Sequence, residues 1–357
     1  MTTSNQPSPN DRSTLLSWLQ TALEIELATI PPYLVALLSI KLPANREPAE
    51  LIRSVMVEEM LHLTLVANVI NAVDGRPRLD KSAIPTYPLQ MNFQGQAFCD
   101  RRFPIDLAPF GSDSIGTFLK IEEPQRLEPR IGAMLVEEMN VPGLTIGEFY
   151  SNIVALLDDL EKKAPGQLFV GDPKRQVSQD YYWSGGGQIV AVRDLASAKV
   201  ALDLVISQGE GAWPKPDDSA STGFGKPLEM GHFFRFNEIA CARRYKRSDD
   251  PTGPPSGEPI EVDYSAVYPI KVNPKRDDYA PGTKLFELNE LFNRKYTTML
   301  SQLQEALSGA PKTLYTAIMD SMHGLTPIAH EIMKIPVDGT VGSPTGCPTF
   351  DWVAPLY

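Results

Sequence analysis

Cysteine is scarce. The 357-residue chain has three, Cys99, Cys241 and Cys347. So few and so scattered, they exclude a disulfide framework and a cysteine-based zinc cluster, and they fit a reducing compartment. Positive charge is also in deficit: 33 Lys and Arg face 44 Asp and Glu, a net charge of −11. Binding to nucleic acid or to an anionic membrane needs a basic face, so neither is expected. The one basic run, Arg243, Arg244, Lys246 and Arg247, reads as a solvated helix C-terminus that complements the helix dipole. Long apolar runs are missing too. The longest, residues 25–40, is broken by Glu26, Pro31 and Pro32 and is too short to span a bilayer. The opening residues, MTTSNQPSPNDRST, have no apolar core of a secretory leader, so a cytoplasmic location is expected.

What is present is ordinary for a globular protein: 42% hydrophobic and 22% charged residues. At ~150 residues per domain the length fits two domains or one elaborated domain. Proline is the exception. There are 32, gathered outside the helical segments, which predicts long ordered loops packed on a helical core.

Residues 1–12 read as a disordered tail. Ser13 or Thr14 caps a first helix to about residue 41, which Pro31-Pro32 should kink or unwind. A second helix runs over 47–72 and stops before Asp74-Gly75-Arg76-Pro77. Residues 76–144 read as loops and short strands with one helical turn at 115–121. A third helix covers 145–163. A fourth runs from its cap Asp194 to about 208 and ends at Gly209-Glu210-Gly211. A fifth covers 228–245. The Pro/Gly-rich stretch 248–283 reads as a linker with a strand at YPIKV, followed by helices at 284–308 and 311–334 and a coil at 336–357. This is a mainly α chain: a bundle over 13–245, then a linker and C-terminal helices over 246–357 that pack on it.

The helical stripes carry the chemistry. In the second helix the stripe is Val55, Glu59, His62, Val66, Val69, Val73, with steps of 4, 3, 4, 3 and 4. That is the buried face of a bundle helix, with an acid and an imidazole on it. In the first helix Leu16, Leu19, Leu23, Ile30 and Tyr33 form the stripe, and Glu26 completes its spacing. Two of only four histidines follow a glutamate by three residues, in Glu59-Met-Leu-His62 and Glu229-Met-Gly-His232. On a helix such a pair faces one way and can hold one metal ion, and two such pairs plus two further glutamates is the ligand plan of dinuclear carboxylate bundles. A buried unpaired carboxylate costs several kcal/mol, and a cation is the usual remedy.

The remaining ligands are less determined. Glu148 reads equally as a ligand from the third helix or as the partner of Thr145 in a capping box. Glu210 and Glu229 compete. Periodicity favours Glu229. If the third and fourth helices are antiparallel, Glu148 and Glu210 lie level, which favours Glu210. Glu210 is placed in the site with Glu229 in reserve. Glu24 and Glu58 fall off the stripes, Glu58 as an outer or surface group. His323 and His330 read as packing or surface histidines. Tyr33, Phe233, Phe234 and Phe236 read as core residues or as walls of the site.

Taken together, ALEIELATIPPYLVALLSI (22–40), LIRSVMVEEMLHLTLVANVINAVDGRPRL (51–79), TIGEFY (145–150), QGEG (208–211) and HFFRFNEI (232–239) resemble the ferritin-like domain of the iminophenyl-pyruvate dimer synthases. The same domain occurs in larger enzymes that oxidatively couple two indole-pyruvate imines in bisindole pigment and alkaloid pathways. The likeness covers about 13–245 and is weaker at 324–333 and 348–352. It implies a ferritin-like four-helix bundle with a metal site, and, carried over residue by residue, the ligands Glu26, Glu59, His62, Glu148, Glu210 and His232.

The function expected from all this is a non-haem metal oxidoreductase. Mixed carboxylate and imidazole ligation suits iron, one or two ions, with manganese the other option. Dioxygen and a small amino-acid-derived or aromatic metabolite would be the reactants, and the chain could form a homo-oligomer. The alternatives are a ferroxidase without organic substrate, or a bundle whose metal is structural.

Overall fold

The computed structural model describes residues 12–90, 103–124, 145–183, 185–211, 230–246, 248–250 and 253–353. Residues 1–11 of the expected tail, and 91–102 and 125–144 of the 76–144 excursion, lie outside these residues, while Arg12 already belongs to the first helix. Among the described residues regular structure is almost wholly helical, apart from a two-residue antiparallel pair, Leu89–Gln90 with Pro104–Ile105.

Two long helices form the centre, α1 (Arg12–Ser39) and α2 (Arg46–Ala72). They run antiparallel: Arg12 reaches Val73, Glu26 meets His62, and Thr29 meets Glu59. Each has the length and hydropathy of a membrane span, but 83% of each such window is buried inside the protein, as in the core helices of a bundle. Pro31 and Pro32 do not unwind α1, which continues through both. A proline at position 32 cannot donate to the carbonyl of Ala28. The Tyr87 hydroxyl takes that place, donating to the Ala28 oxygen at 2.7 Å.

The second pair is α4 (Ile146–Lys163) and α5 (Leu195–Ile206). It is also antiparallel, since Lys199 pairs with Asp158 while the end of α5 lies beside the start of α4. Asp194 caps α5 through the Ser197 amide, as its sequence position predicts. Immediately after α5 the chain widens into a π turn, Ser207–Gly211. The connection between α4 and α5 is pinned to α2 by Asn68, whose amide donates to the carbonyls of Val177 and Val190 and accepts from the Val177 amide. Gly186, at φ +79°, lies flat on the turn that carries Glu58. A Cβ there would sit 3.1 Å from the Val57 carbonyl oxygen.

Two shorter helices close the site end. The helical turn expected at 115–121 is a ten-residue helix, α3 (Ser112–Ile121). The helix expected over 228–245 is only α6 (His232–Cys241), so His232 is its first residue rather than a mid-helix one. The premise that Glu229 and His232 share a helical face therefore fails, and Glu229 itself lies outside the described residues. In the C-terminal part α7 (Lys284–Leu307) is continuous, but the helix expected over 311–334 is broken. A turn at Thr313–Thr316 runs into a π segment, Ala317–Met322, before α8 (Leu325–Ile332). YPIKV forms one isolated bridge, Ile270 to Thr345, instead of a strand. Asn71 and Gln304 tie α7 to α2 and the loop after it, and one hydrophobic core runs continuously from Leu15 to Phe350.

Candidate metal centre

Three carboxylates and two imidazoles meet where α1, α2, α3 and α6 converge. Glu26 comes from α1, Glu59 and His62 from one face of α2, Glu122 from the residue after α3, and His232 from the first turn of α6. All are buried, none more than 3% exposed. His62 and His232 stack with ring centres 5.4 Å apart, and ligand atoms of Glu59, His62 and His232 all lie within 4.8 Å of one another.

Each carboxylate has one oxygen against a hydroxyl and the other turned to an imidazole. Tyr150 donates to Glu26 Oε1, and Glu26 Oε2 lies 3.4 Å from His62 Nδ1. Thr29 Oγ1 stands 3.1 Å from Glu59 Oε2, and Glu59 Oε1 is 2.9 Å from His232 Nδ1. Tyr33 donates to Glu122 Oε1 at 2.5 Å, and Glu122 Oε2 is 3.4 Å from His232 Nδ1. Burial and the neighbouring carboxylates hold the Tyr33 and Tyr150 phenols well above their usual range, so both remain donors.

The imidazoles are oriented in the same sense. Each turns Nδ1 to the carboxylates and Nε2 outward, His62 to Gln208 Oε1 and His232 to Glu58 Oε2, both at 3.0 Å. His232 Nδ1 is buried and, despite the nearby carboxylates, meets no acceptor in hydrogen-bond geometry. A nitrogen so placed, with its ring fixed from the far side, is prepared to ligate.

The electrostatics lead to the same point. Burial, then Glu122 and Glu26, push the Glu59 carboxyl up to about 8. Burial alone would also raise Glu26 and depress both histidines. The Glu26 carboxyl is instead lowered by His62, His62 is raised by Glu26, and His232 is raised well above its usual range by Glu122 and its other acidic neighbours. Among the described residues no Lys or Arg lies within ion-pair distance of Glu26, Glu59 or Glu122. The donor set, carboxylate oxygen and imidazole nitrogen, is one that a divalent metal ion can take. A cavity of about 10 Å³, open to one water-sized body, adjoins Glu26, Glu59, His62 and Glu122. Its far wall is Ile146, Gly147 and Tyr150 of α4 with Val205, Ile206 and Gly209 at the end of α5.

Of the residues singled out in the sequence, Glu26, Glu59, His62 and His232 come together here. Glu148 does not. Its carboxylate accepts from the Thr145 amide at 3.0 Å while Thr145 Oγ1 accepts from the Glu148 amide, so the capping box holds it on the outside of α4. The levels of α4 and α5 do match, but it is Gly147 and Gly209 that face the cavity. Glu210 has its backbone in the π turn, and its side chain lies outside the described residues. Glu122 takes the place foreseen for Glu148. It stands in a loop-rich stretch with no stripe to reveal it, its one signal being a Glu-Glu pair directly after an apolar helix face. Glu58 is not a surface group. It is 2% exposed, and Arg235 and His232 bring its carboxyl below the usual range although burial alone would raise it. Tyr33 proves to be both core and site, its ring packed on Phe118 and Phe236. His323 is exposed and His330 half-buried, both remote from the cluster.

A family model described as Ferritin-like matches residues 19–241. Dichlorochromopyrrolate synthase of Lentzea aerocolonigenes is 26% identical over 328 aligned positions, covering 82% of this chain. The chain spans 29% of the length of that relative. Among solved structures, a ferritin-like protein from Caulobacter vibrioides superposes with a TM-score of 0.56 at 21% identity, covering 92% of this chain and 97% of the other.

Proposed function

Because this chain belongs to the ferritin-like family, we propose that it is a metal-dependent oxidoreductase that uses dioxygen on a small amino-acid-derived or aromatic metabolite in a biosynthetic pathway. The observation that carries the proposal is the buried set Glu26, Glu59, Glu122, His62 and His232, the first four beside a space for about one water or ion, with His232 Nδ1 close to Glu59 and Glu122 but in hydrogen-bond geometry with neither. Similarity to a synthase of a small aromatic product supports the substrate class.

Iron is the metal proposed, with manganese the alternative, held as one or two ions by Glu26, Glu59, His62, Glu122 and His232. Bound iron would supply the electrons that dioxygen needs in order to react. The chain does the rest. Tyr150, Thr29 and Tyr33 fix one oxygen of each carboxylate, so the other is aimed inward before any ligand arrives. Burial of Phe118, Phe236 and Tyr33 excludes bulk water from one side. Gly147 and Gly209 stand between larger side chains in the cavity lining given by α4 and the end of α5, and this side is the proposed approach for small reactants.

The test is metal analysis of protein purified without chelator, followed by Fe(II) and dioxygen in the presence of aromatic amino acids or their oxo-acids. Stoichiometric iron or manganese and an oxidised organic product are expected. Absence of stoichiometric metal refutes the proposal, and bulk mineral formation without an organic product replaces it with iron handling.

A further inference from the structure

We propose that Arg235 is a positioning residue of this centre: by gripping Glu58 it makes that carboxylate the outer partner of His232 and leaves Glu59 as the inward one. The inference rests on the metal-binding reading above.

Glu58 and Glu59 are consecutive on α2, about 100° apart around the helix, and both are buried. Either carboxylate could in principle serve a cation, so something must sort them. Arg235 is fully buried, and three of its donors are spent: Nε on the Met230 carbonyl at 2.7 Å, Nη1 on Ser54 Oγ at 3.1 Å, and Nη2 on both oxygens of Glu58 at 3.0 and 2.9 Å. His232 Nε2 meets the same Glu58 Oε2 at 3.0 Å. His232 and Arg235 stand three apart in the first turn of α6, on one face. That turn therefore clamps a single carboxylate of α2 with two side chains.

The clamp has two consequences. Glu58, with both oxygens engaged, is held away from Glu26, Glu59 and Glu122. With an acceptor fixed at Nε2, the His232 ring donates there and presents Nδ1 to Glu59 and Glu122. His62 is oriented in the same sense by a neutral group, the Gln208 amide, itself anchored to the Gly186 carbonyl at 2.7 Å. Only the His232 side uses a full charge, and a buried carboxylate in that role needs a buried counter-charge. Arg235 supplies it.

The test is cobalt(II) binding to the full chain, read by visible absorption and by competition with a chelator, for wild type, Arg235→Met, Arg235→Lys and Glu58→Gln. Arg235→Met and Glu58→Gln are each expected to weaken cobalt binding by about 10–100-fold and to alter the cobalt spectrum. Arg235→Lys, which restores charge but not the fork, is expected to fall between Arg235→Met and wild type. The double variant Arg235→Met with Glu58→Gln is expected to be no weaker than the worse single one, because both act through one path. Melting of the metal-free proteins separates out a merely structural role, which lowers Tm while leaving affinity and spectrum of the folded protein unchanged, and that result overturns the inference. If Arg235→Met does not fold, Arg235→Lys and Glu58→Gln decide it, wild-type cobalt affinity in both being the overturning result. A wild-type chain that binds no cobalt overturns the metal reading as well, whereas binding that no variant changes overturns this inference alone.

Discussion

His62 and His232, from helices far apart in the chain, lie with their rings nearly parallel, 22° between planes, each with Nδ1 toward a buried carboxylate and Nε2 on an outer partner. The arrangement leads to the following expectations.

Removing an inward ligand should remove the metal. Glu59→Ala and His62→Ala are expected to lower bound iron or manganese from stoichiometric to trace levels, measured by elemental analysis after chelator-free purification. Glu122→Ala should do the same. Chelation should also lower the Tm of wild type, since a ligand that binds only the folded state stabilises it, and leave the Tm of these variants unmoved. Retained metal in all three would exclude this cluster as the site.

Glu148 should behave as a cap. Glu148→Ala or Thr145→Ala is expected to cost about 1 kcal/mol in urea unfolding with metal content unchanged. Loss of metal in Glu148→Ala, but not in Thr145→Ala, would return Glu148 to the ligand set.

Tyr87→Phe isolates the proline problem of α1. It leaves the buried Ala28 carbonyl without the hydroxyl that replaces its missing helical donor. The expected loss is about 1–3 kcal/mol of unfolding free energy, read by denaturant titration. A change below a few tenths would mean that Pro31 and Pro32 are accommodated in another way.

Glu238 should make stability fall as pH rises. Burial holds its carboxyl up at about 7, against an ordinary 4.5, with Glu47 adding to the effect while the Tyr245 amide, Arg244 and Arg235 oppose it. The folded state then binds this proton more tightly than the unfolded chain. Its contribution is full below pH 4.5 and is lost as pH passes through 7. The difference corresponds to about 3 kcal/mol at most. Glu238→Gln should flatten the decline in urea-unfolding free energy between about pH 5 and 8. An unchanged slope would assign that decline to other groups.

The sequence by itself determined the helical core and three of the five residues of the centre, Glu26, Glu59 and His62. A 3-and-4 spacing puts every stripe residue on one face, so an acid or imidazole at a stripe position, as at Glu26, Glu59 and His62, must enter the interior wherever the helix packs. Local chemistry also fixed the Asp194 cap and the Thr145–Glu148 box, because both need only neighbouring residues. Periodicity is silent where a residue lies beyond a helix end or where its partner is remote in sequence. Glu122 enters the cluster because α3 packs on α6, and Glu58 is turned outward because a buried arginine from α6 takes it. His232 was singled out by a glutamate–histidine spacing that presumes one continuous helix, whereas α6 begins only at His232. The inward carboxylates, the outer ones and the direction of each ring nitrogen were chosen by contacts between elements, which exist only once the bundle has closed.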